Sequence, residues 1–391
     1  MTDARKITVG VVGAGTMGRG IAQVAAQQGH PVVLVDSDAR ALATARESLE
    51  KILARQVGKG RMTREEMDGL LARIRLTERP EDASSAGLVI EAIVEDLAIK
   101  QELFRQLESL VPGDCLLATN TSSLPVVAIA SACETPGRCV GVHFFNPAPL
   151  MPLVEVVPGL TTDPATVDSA RSIVESWGKT AVVARDTPGF IVNRIARPFY
   201  GEALRLLEEA VADVSTIDWA MREIGGFRMG PFELMDLIGN DINYKVTETV
   251  FAAFYFDPRY RPSFVQQRMV EAGFLGRKAG RGYYDYGIDS AKPEPARDEN
   301  LGREIVDRVV AMLINEAADA VFWRVASPAD IDIAMTKGVN YPKGLLAWAN
   351  EIGVETVLAR LDALQREFGE DRYRPSPLLR RMAARGETFD V

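Results

Sequence analysis

Hydrophobic and polar positions change period along the chain, and the change divides it in two. Up to about residue 186, short runs rich in β-branched residues alternate with stretches of helical spacing. KITVGVV (6–12), HPVVLVD (30–36), GLVIEAI (87–93), CLLATN (115–120), VGVHFF (140–145), LVEVVPG (153–159) and TAVVARD (180–186) read as buried strands. Between them GAGTMGRGIAQVAAQQG (13–29), a charged stretch from 37 to about 75, and AIKQELFRQLESLV (98–111) read as helices. Such alternation predicts an α/β domain. DTPGF (186–190) breaks the pattern, and beyond it the strand signals fade. IVNRIARPFYGEALRLLEEAVA (191–212) predicts one long amphipathic helix, with several others after it.

The helical part carries an internal repeat. Shifted by 114 positions, Glu202 falls on Glu316, Ala203 on Ala317, Val211-Ala212 on Val325-Ala326, Ile217-Asp218 on Ile331-Asp332, and Ala220-Met221 on Ala334-Met335. Gly230 falls on Gly344 and Ile238-Gly239 on Ile352-Gly353 in the same register. Chance does not give this without a gap, so the helical domain is expected twice, joined by the polar stretch GIDSAKPEPARDENLG (287–302). The expected domains are 1–186, 187–290 and 303–391. Asn193 falls on Asp307 and the TPGF before it on Leu301-Gly302-Arg303-Glu304, so the second copy is expected to be structural.

Composition narrows the class. Hydrophobic residues make up 47% and charged ones 25%, the balance of a soluble globular protein, and 391 residues suffice for two or three cores. A net charge of -9 disfavours nucleic acid or an anionic membrane as a bulk partner. Cys115, Cys133 and Cys139 have neither the even number nor the spacing of a disulfide framework or zinc site, so a reducing compartment is expected. MTDARKITVGVVGAG enters a strand without a leader, and no apolar run approaches the ~20 residues that span a bilayer. A cytoplasmic protein is expected.

The join between the first strand and helix reads Gly13-Ala14-Gly15-Thr16-Met17-Gly18, a G-x-G-x-x-G. Gly13 suits the tight turn, Gly15 close approach of a pyrophosphate, and Gly18 the packing of helix on strand. The second strand ends on Asp36, 23 positions after Gly13, where an acid meets the adenosine ribose of a dinucleotide. An acid there repels a 2'-phosphate, so NAD is preferred over NADP, with Arg40 close by.

Hydride transfer to NAD requires a group that takes the hydroxyl proton. Histidine, with an unperturbed pKa of about 6.5, suits the task. The chain has two: His30, in a turn beside Pro31 and expected at the surface, and His143. Glu155 sits among Leu153, Val154, Val156 and Val157, where an acid is costly unless paired. The turn NPAPLMP can bring the two strands side by side and pair His143 with Glu155. The competing reading is a core histidine and an unrelated edge glutamate.

GAGTMGRGIA, EAIVEDLAIK, NTSSL, GVHFFNPAPLMPLVEVV, DTPGFIVNR and MGPFELMDLIG together resemble the 3-hydroxyacyl-CoA dehydrogenases, including the 3-hydroxybutyryl-CoA dehydrogenases, over residues ~6 to 286. The tandem second copy, with NYPKGLLAWANEIG, is similar to the phenylacetate-degradation branch and to the duplicated arrangement in multifunctional fatty-acid oxidation enzymes. The resemblance implies a Rossmann-type NAD-binding domain followed by two copies of an all-α domain like that of 6-phosphogluconate dehydrogenase. It implies oxidation of (S)-3-hydroxyacyl-CoA to 3-oxoacyl-CoA, with His143 as general base and Glu155 as its carboxylate partner. By the same resemblance Ser122 and Asn193 hold the substrate's 3-oxygen and thioester region. Glu95, Lys100, Asn120, Ser122 and Asn146 go to the nicotinamide half of the cofactor, and Lys278 reaches it from the helical domain. Ser48 and Arg55 fall on the helix that meets coenzyme A, where a merely solvated helix face competes.

A dehydrogenase of free hydroxy acids or sugar acids is the alternative enzyme, and a dinucleotide-binding protein without activity is the alternative from another class. The resemblance also implies that in single-copy relatives the helical domain forms the dimer interface. The duplicated chain is therefore expected either as a homodimer or as a monomer that mimics the dimer within itself.

Overall fold

The computed structural model describes residues 6–391, which divide into two compact units, the first ending at Thr187 and the second running from Pro188 to Val391. The first is built on eight strands: β1 (Val9–Val12), β2 (Val32–Val35), β3 (Ile74–Thr77), β4 (Leu88–Glu91), β5 (Leu116–Thr119), β6 (Cys139–Phe144), β7 (Leu153–Val157) and β8 (Thr180–Val183). They form one sheet in the order β3-β2-β1-β4-β5-β6-β7-β8. From β3 to β6 all pairings are parallel, β6 and β7 are antiparallel, and β7 and β8 are parallel. Chain order reverses direction across the sheet between β1 and β4, which opens a crevice at the carboxyl ends of those strands.

Helices cover both faces, which is why β1, β2, β4, β6 and β7 are buried end to end and read as continuous apolar runs. On one face α1 (Thr16–Gln27), α2 (Ala39–Gly58), α3 (Arg64–Ala72) and α6 (Pro164–Ser176) close a core around Ile21, Leu34, Leu49, Ile90 and Trp177. On the other, α4 (Leu97–Leu110) and α5 (Val126–Ala130) pack Phe104, Leu107 and Ile129 against Val89 and Leu117.

Two expectations for this unit differ from what is found. The charged stretch to residue 75 is not helical to its end: α3 stops at Ala72 and β3 follows as an edge strand whose Arg75 is exposed. An edge strand with one wet face lacks the unbroken apolar run that marks its neighbours. His30 is not at the surface either. It is buried, bonded through Nδ1 to the Ile7 carbonyl at 3.0 Å and set edge-on to Trp177.

The second unit is built of helices: α7 (Val192–Ile195), α8 (Arg197–Glu208), α9 (Val214–Trp219), α10 (Pro231–Ile238), α11 (Asn240–Ala253) and α12 (Phe264–Glu271), then α13 (Glu299–Phe322), α14 (Pro328–Gly338), α15 (Leu345–Ile352), α16 (Val354–Phe368) and α17 (Pro377–Arg385), with two isolated antiparallel bridges, Gly276 to Arg281 and Arg281 to Asp285, between α12 and α13. The long helix expected from 191 is broken at Ala196, because Pro198 has no N–H to offer Arg194. Its counterpart in the second copy, 114 positions on, is Met312, and there α13 runs through unbroken.

The repeat is visible atom by atom. Asp218 accepts the backbone N–H groups of Phe232 and Glu233, each at 2.9 Å, and Asp332 accepts those of Leu346 and Ala347 at the same distance. Gly230 and Gly344 are fixed by this turn, since a Cβ on either would lie within 2.3 Å of the aspartate. The copies then bind each other reciprocally. Arg194 donates from Nε to Glu316 Oε1 at 2.5 Å, and its counterpart Arg308 donates from Nε to Glu202 Oε2 at 3.0 Å. Tyr260 donates to Glu316 at 2.5 Å, and Tyr373 to Glu202 at 3.0 Å. Contacts of i with j and j with i are the mark of a two-fold interface, here inside one chain. The polar stretch between copies is shorter than expected. Asp298 caps α13, and Gly302 is buried in that helix against Trp219 and Ile224.

Candidate active site

Three strand ends in the first unit gather the polar groups. At β1 the chain turns through Gly13 at φ 103°, and a Cβ there would lie 2.5 Å from the Ala92 carbonyl. A Cβ on Gly18 would lie 1.8 Å from the Gly13 carbonyl, so α1 sits closer to the strand than any other residue permits. Nothing lies within 4 Å of a Cβ built on Gly15, and no side chain caps the N–H groups of the first turn, where Thr16 and Met17 stand. That is the open, donor-lined approach an anionic diphosphate needs. Asp36 accepts from Ala14 N at 2.7 Å and Asp38 N at 3.0 Å, and stays half-exposed. No basic side chain among the described residues, Arg40 included, pairs with it. The turn therefore fits a dinucleotide whose ribose 2'-position carries a hydroxyl.

Between β4 and β5 the residues form a charged cluster. Glu91, at the end of β4, is fully buried and accepts from Lys100 Nζ at 2.5 Å, Thr119 Oγ1 at 2.7 Å and Ile93 N at 2.8 Å. Lys100 also meets Glu95 at 3.2 Å. Glu95 accepts from Thr121 Oγ1 at 2.6 Å, Ser123 Oγ at 2.9 Å and Ser122 N at 3.1 Å. Burial pushes its carboxyl up, but the Lys100 charge and these hydroxyls outweigh that and hold it below the usual range. Lys100 itself is 1% exposed. Between Glu91 and Glu95 it fixes the position of Glu95. Glu91, the other half of that clamp, was not foreseen; an acid closing an apolar strand, nine positions before a lysine, was the available signal.

The third end belongs to β6 and β7. His143 and Glu155 are register partners across these antiparallel strands, and His143 Nδ1 lies 2.6 Å from Glu155 Oε2. Both are buried, with the imidazole against Phe145 at 4.6 Å between ring centroids. Asn120, after β5, accepts from Phe144 N at 2.8 Å and so ties the neighbouring strand end to the histidine's strand. Ser122 is half-buried, and its hydroxyl has no protein partner among the described residues. The turn from Asn146 to Met151 is pinned by Lys179, whose Nζ donates to the carbonyls of Ala148 at 2.6 Å and Met151 at 2.8 Å. Lys179 lay outside the motifs, and nothing in its surroundings in the sequence marked it.

The remaining candidates stand elsewhere. On α2, Ser48 is half-buried and Arg55 exposed, two helical turns apart and hence on one face. In the second unit Asn193 is half-buried on α7, and Lys278 is held by both Asp241 oxygens, at 2.6 and 2.8 Å. The second copy's counterpart of Asn193, Asp307, pairs with Arg360 at 2.9 Å. Among the described residues no cluster of ligand-type side chains could hold a metal ion.

Comparison with known proteins decides the family. The model of the 3-hydroxyacyl-CoA dehydrogenase NAD-binding domain matches residues 8–187, and that of the 3-hydroxyacyl-CoA dehydrogenase C-terminal domain matches twice, at 189–286 and 305–389. This chain belongs to the 3-hydroxyacyl-CoA dehydrogenase family. It is 40% identical to 3-hydroxyadipyl-CoA dehydrogenase of Escherichia coli K12, across 96% of this chain and 97% of that one. It is 42% identical to 3-hydroxybutyryl-CoA dehydrogenase of Bradyrhizobium diazoefficiens, across 74% of this chain and 98% of the relative. The crystal structure of 3-hydroxybutyryl-CoA dehydrogenase from Escherichia coli K12 superposes with a TM-score of 0.91 at 39% identity, covering 97% of this chain and 98% of that one.

As a 3-hydroxyacyl-CoA dehydrogenase the chain is an NAD-dependent oxidoreductase with a Rossmann-type first unit and a duplicated helical domain. No helix among the described residues is long and apolar enough to cross a membrane.

Proposed function

We propose that the chain interconverts (S)-3-hydroxyacyl-CoA and 3-oxoacyl-CoA with His143 as the general base and Glu155 as its partner. The observation that carries this is the 2.6 Å bond from His143 Nδ1 to Glu155 Oε2. With Nδ1 committed to a carboxylate, the ring is held in the tautomer whose Nε2 accepts a proton, and Glu155 stabilises the imidazolium that results. NAD+, when bound, takes the hydride from C3. Ser122 and Asn193 hold the 3-oxygen and thioester region, and in the reverse direction the protonated His143 is the acid.

In this reading Gly13, Gly15, Thr16, Met17, Gly18 and Asp36 receive the adenosine diphosphate part of the cofactor. Glu95, Lys100, Asn120, Ser122 and Asn146 serve its nicotinamide half, and Lys278 is the cofactor contact assigned to the helical domain. Ser48 and Arg55 serve coenzyme A. Each chain has one active site, since the Asn193 counterpart Asp307 is occupied by Arg360. The reciprocal pairs of Arg194 with Glu316 and Arg308 with Glu202 support a chain that is monomeric because it supplies its own dimer-like partner. Three free, buried cysteines favour the reducing cytoplasm.

The test is NADH formation from (S)-3-hydroxybutyryl-CoA set against free 3-hydroxybutyrate. The thioester should be oxidised and the free acid ignored; equal rates would return the case to a free hydroxy-acid dehydrogenase.

A further inference from the structure

The crevice at the carboxyl ends of the strands has a fixed order. The glycine turn follows β1, and His143 and Glu155 stand on β6 and β7. β4 and β5 lie between them in the sheet, so a cofactor whose diphosphate rests on the glycine turn and whose nicotinamide meets His143 crosses the ends of these two strands. The cluster of Glu91, Lys100 and Glu95 stands there. It adjoins the glycine turn, since the carbonyl of Ala92, next to Glu91, is what a side chain on Gly13 would strike. Its charges do not balance. Lys100 Nζ lies 2.5 Å from Glu91 Oε1 and 3.2 Å from Glu95 Oε2, and among the described residues no other cation is within ion-pair distance of either acid.

The two acids differ in what they do with that single ammonium. Glu91 is fully buried and is the nearer partner, with Thr119 Oγ1 and Ile93 N satisfying the rest of its carboxylate. Glu95 is the open end of the cluster, its side chain 36% exposed. Its Oε1 collects only neutral donors, the Thr121 and Ser123 hydroxyls and the backbone N–H groups of Ser122 and Ser123. Such donors steady a carboxylate without cancelling its charge, and Glu95 stays ionised. Lys100 and Glu95 alone would form a neutral pair. A second, buried acid is costly, and its effect is to engage the ammonium so that one net negative charge is left at the open end. A nicotinamide ring is cationic when oxidised and neutral when reduced, so a fixed negative charge near it tells the two forms apart.

We propose that Glu91 sets the balance between the two redox forms of the cofactor: by cancelling Lys100 it leaves Glu95 a full negative charge, which favours the oxidised, cationic nicotinamide over the reduced, neutral one. This rests on the reading that Glu95 and Lys100 serve the nicotinamide half. Glu91 acts through Lys100 and is a positioning residue.

The test is equilibrium binding, with NADH followed by its fluorescence and NAD+ and ADP-ribose by displacement of NADH. Glu91→Gln keeps the shape and loses the charge. It should raise the ratio of Kd for NAD+ to Kd for NADH by about 2- to 20-fold, the Coulomb effect of one charge over roughly 10 Å, two strand spacings, at an effective dielectric of about 20 to 80. ADP-ribose, which has no nicotinamide, should bind this variant as it binds the wild type. Glu91→Gln combined with Lys100→Met removes the buried pair and leaves the Glu95 charge, so the ratio should return close to the wild-type value; a ratio that stays shifted overturns the proposal. Glu95→Gln, at the open end, should shift the ratio the same way, and it decides the matter if Glu91→Gln fails to fold. Equal weakening of NAD+, NADH and ADP-ribose in Glu91→Gln overturns the proposal in favour of a purely structural role. Equal weakening of NAD+ and NADH in Glu95→Gln, with ADP-ribose unchanged, overturns it while the nicotinamide reading stands. Wild-type affinities for all three ligands in Glu95→Gln are a different failure, that of the nicotinamide reading itself, and the proposal falls with it.

Discussion

His143 and Glu155 face each other as direct register partners on antiparallel strands, twelve residues apart in the chain and 2.6 Å apart between Nδ1 and Oε2. A strand pair fixes this geometry more firmly than a loop would, because both backbones are held by the sheet ladder and both side chains lie in the core.

If the imidazole is the base, His143→Gln should lower kcat by roughly 10²- to 10⁴-fold, the usual worth of general-base assistance. Binding of NADH, followed by its fluorescence, should stay near the wild-type value. Unimpaired turnover in this variant would remove His143 from the mechanism.

A second histidine makes stability depend on pH. Burial is the main cause that lowers the His30 pKa below 6.5, with the Lys6 charge adding to it and the bond to the Ile7 carbonyl opposing. A folded pKa below the unfolded one favours the neutral ring. Stability from this site is full above pH 6.5 and is lost as the pH falls through 6.5 toward the folded value. Because His30 lies edge-on to Trp177, tryptophan fluorescence should report the loss in urea titrations between pH 7.5 and about 5. His30→Gln should flatten that dependence.

The reciprocal ion pairs should matter equally from both sides. Glu316→Gln strands the buried charges of Arg194 and Arg259, and Glu202→Gln strands that of Arg308. Breaking a buried pair from one side costs about 3–5 kcal/mol, so each variant should unfold at distinctly lower urea. A pronounced loss in only one of them would argue against the two-fold arrangement.

Light scattering should give the mass of a single chain, 42.7 kDa. A dimer formed through residues 190–290 would contradict the pseudo-dimer, because that surface is expected to be engaged by the second copy.

Much of the fold follows from local pattern. Strands buried on both faces make continuous apolar runs, so β1, β2, β4, β6 and β7 stand out, and the glycine turn is specified by steric demands that two positions satisfy with no other residue. The repeat is legible because Asp218 and Asp332, with Gly230 and Gly344, build the same turn twice. Local pattern misses β3, whose wet face interrupts the apolar run, and the break at Ala196, where one proline overrides an otherwise continuous amphipathic stripe.

The sequence by itself marked the candidates for chemistry: a glycine turn followed by a strand ending on Asp36, a histidine and a glutamate in neighbouring strands, and an asparagine, Asn193, whose counterpart in the second helical copy is an aspartate. Tertiary structure alone decided who meets whom. Lys100 sits between Glu91 and Glu95, Lys179 holds the carbonyls of a turn about thirty residues earlier, and Arg194 meets Glu316 across 122 positions of chain. Charge pairing depends on distance and on removal from water, and neither is written in the order of residues along the chain.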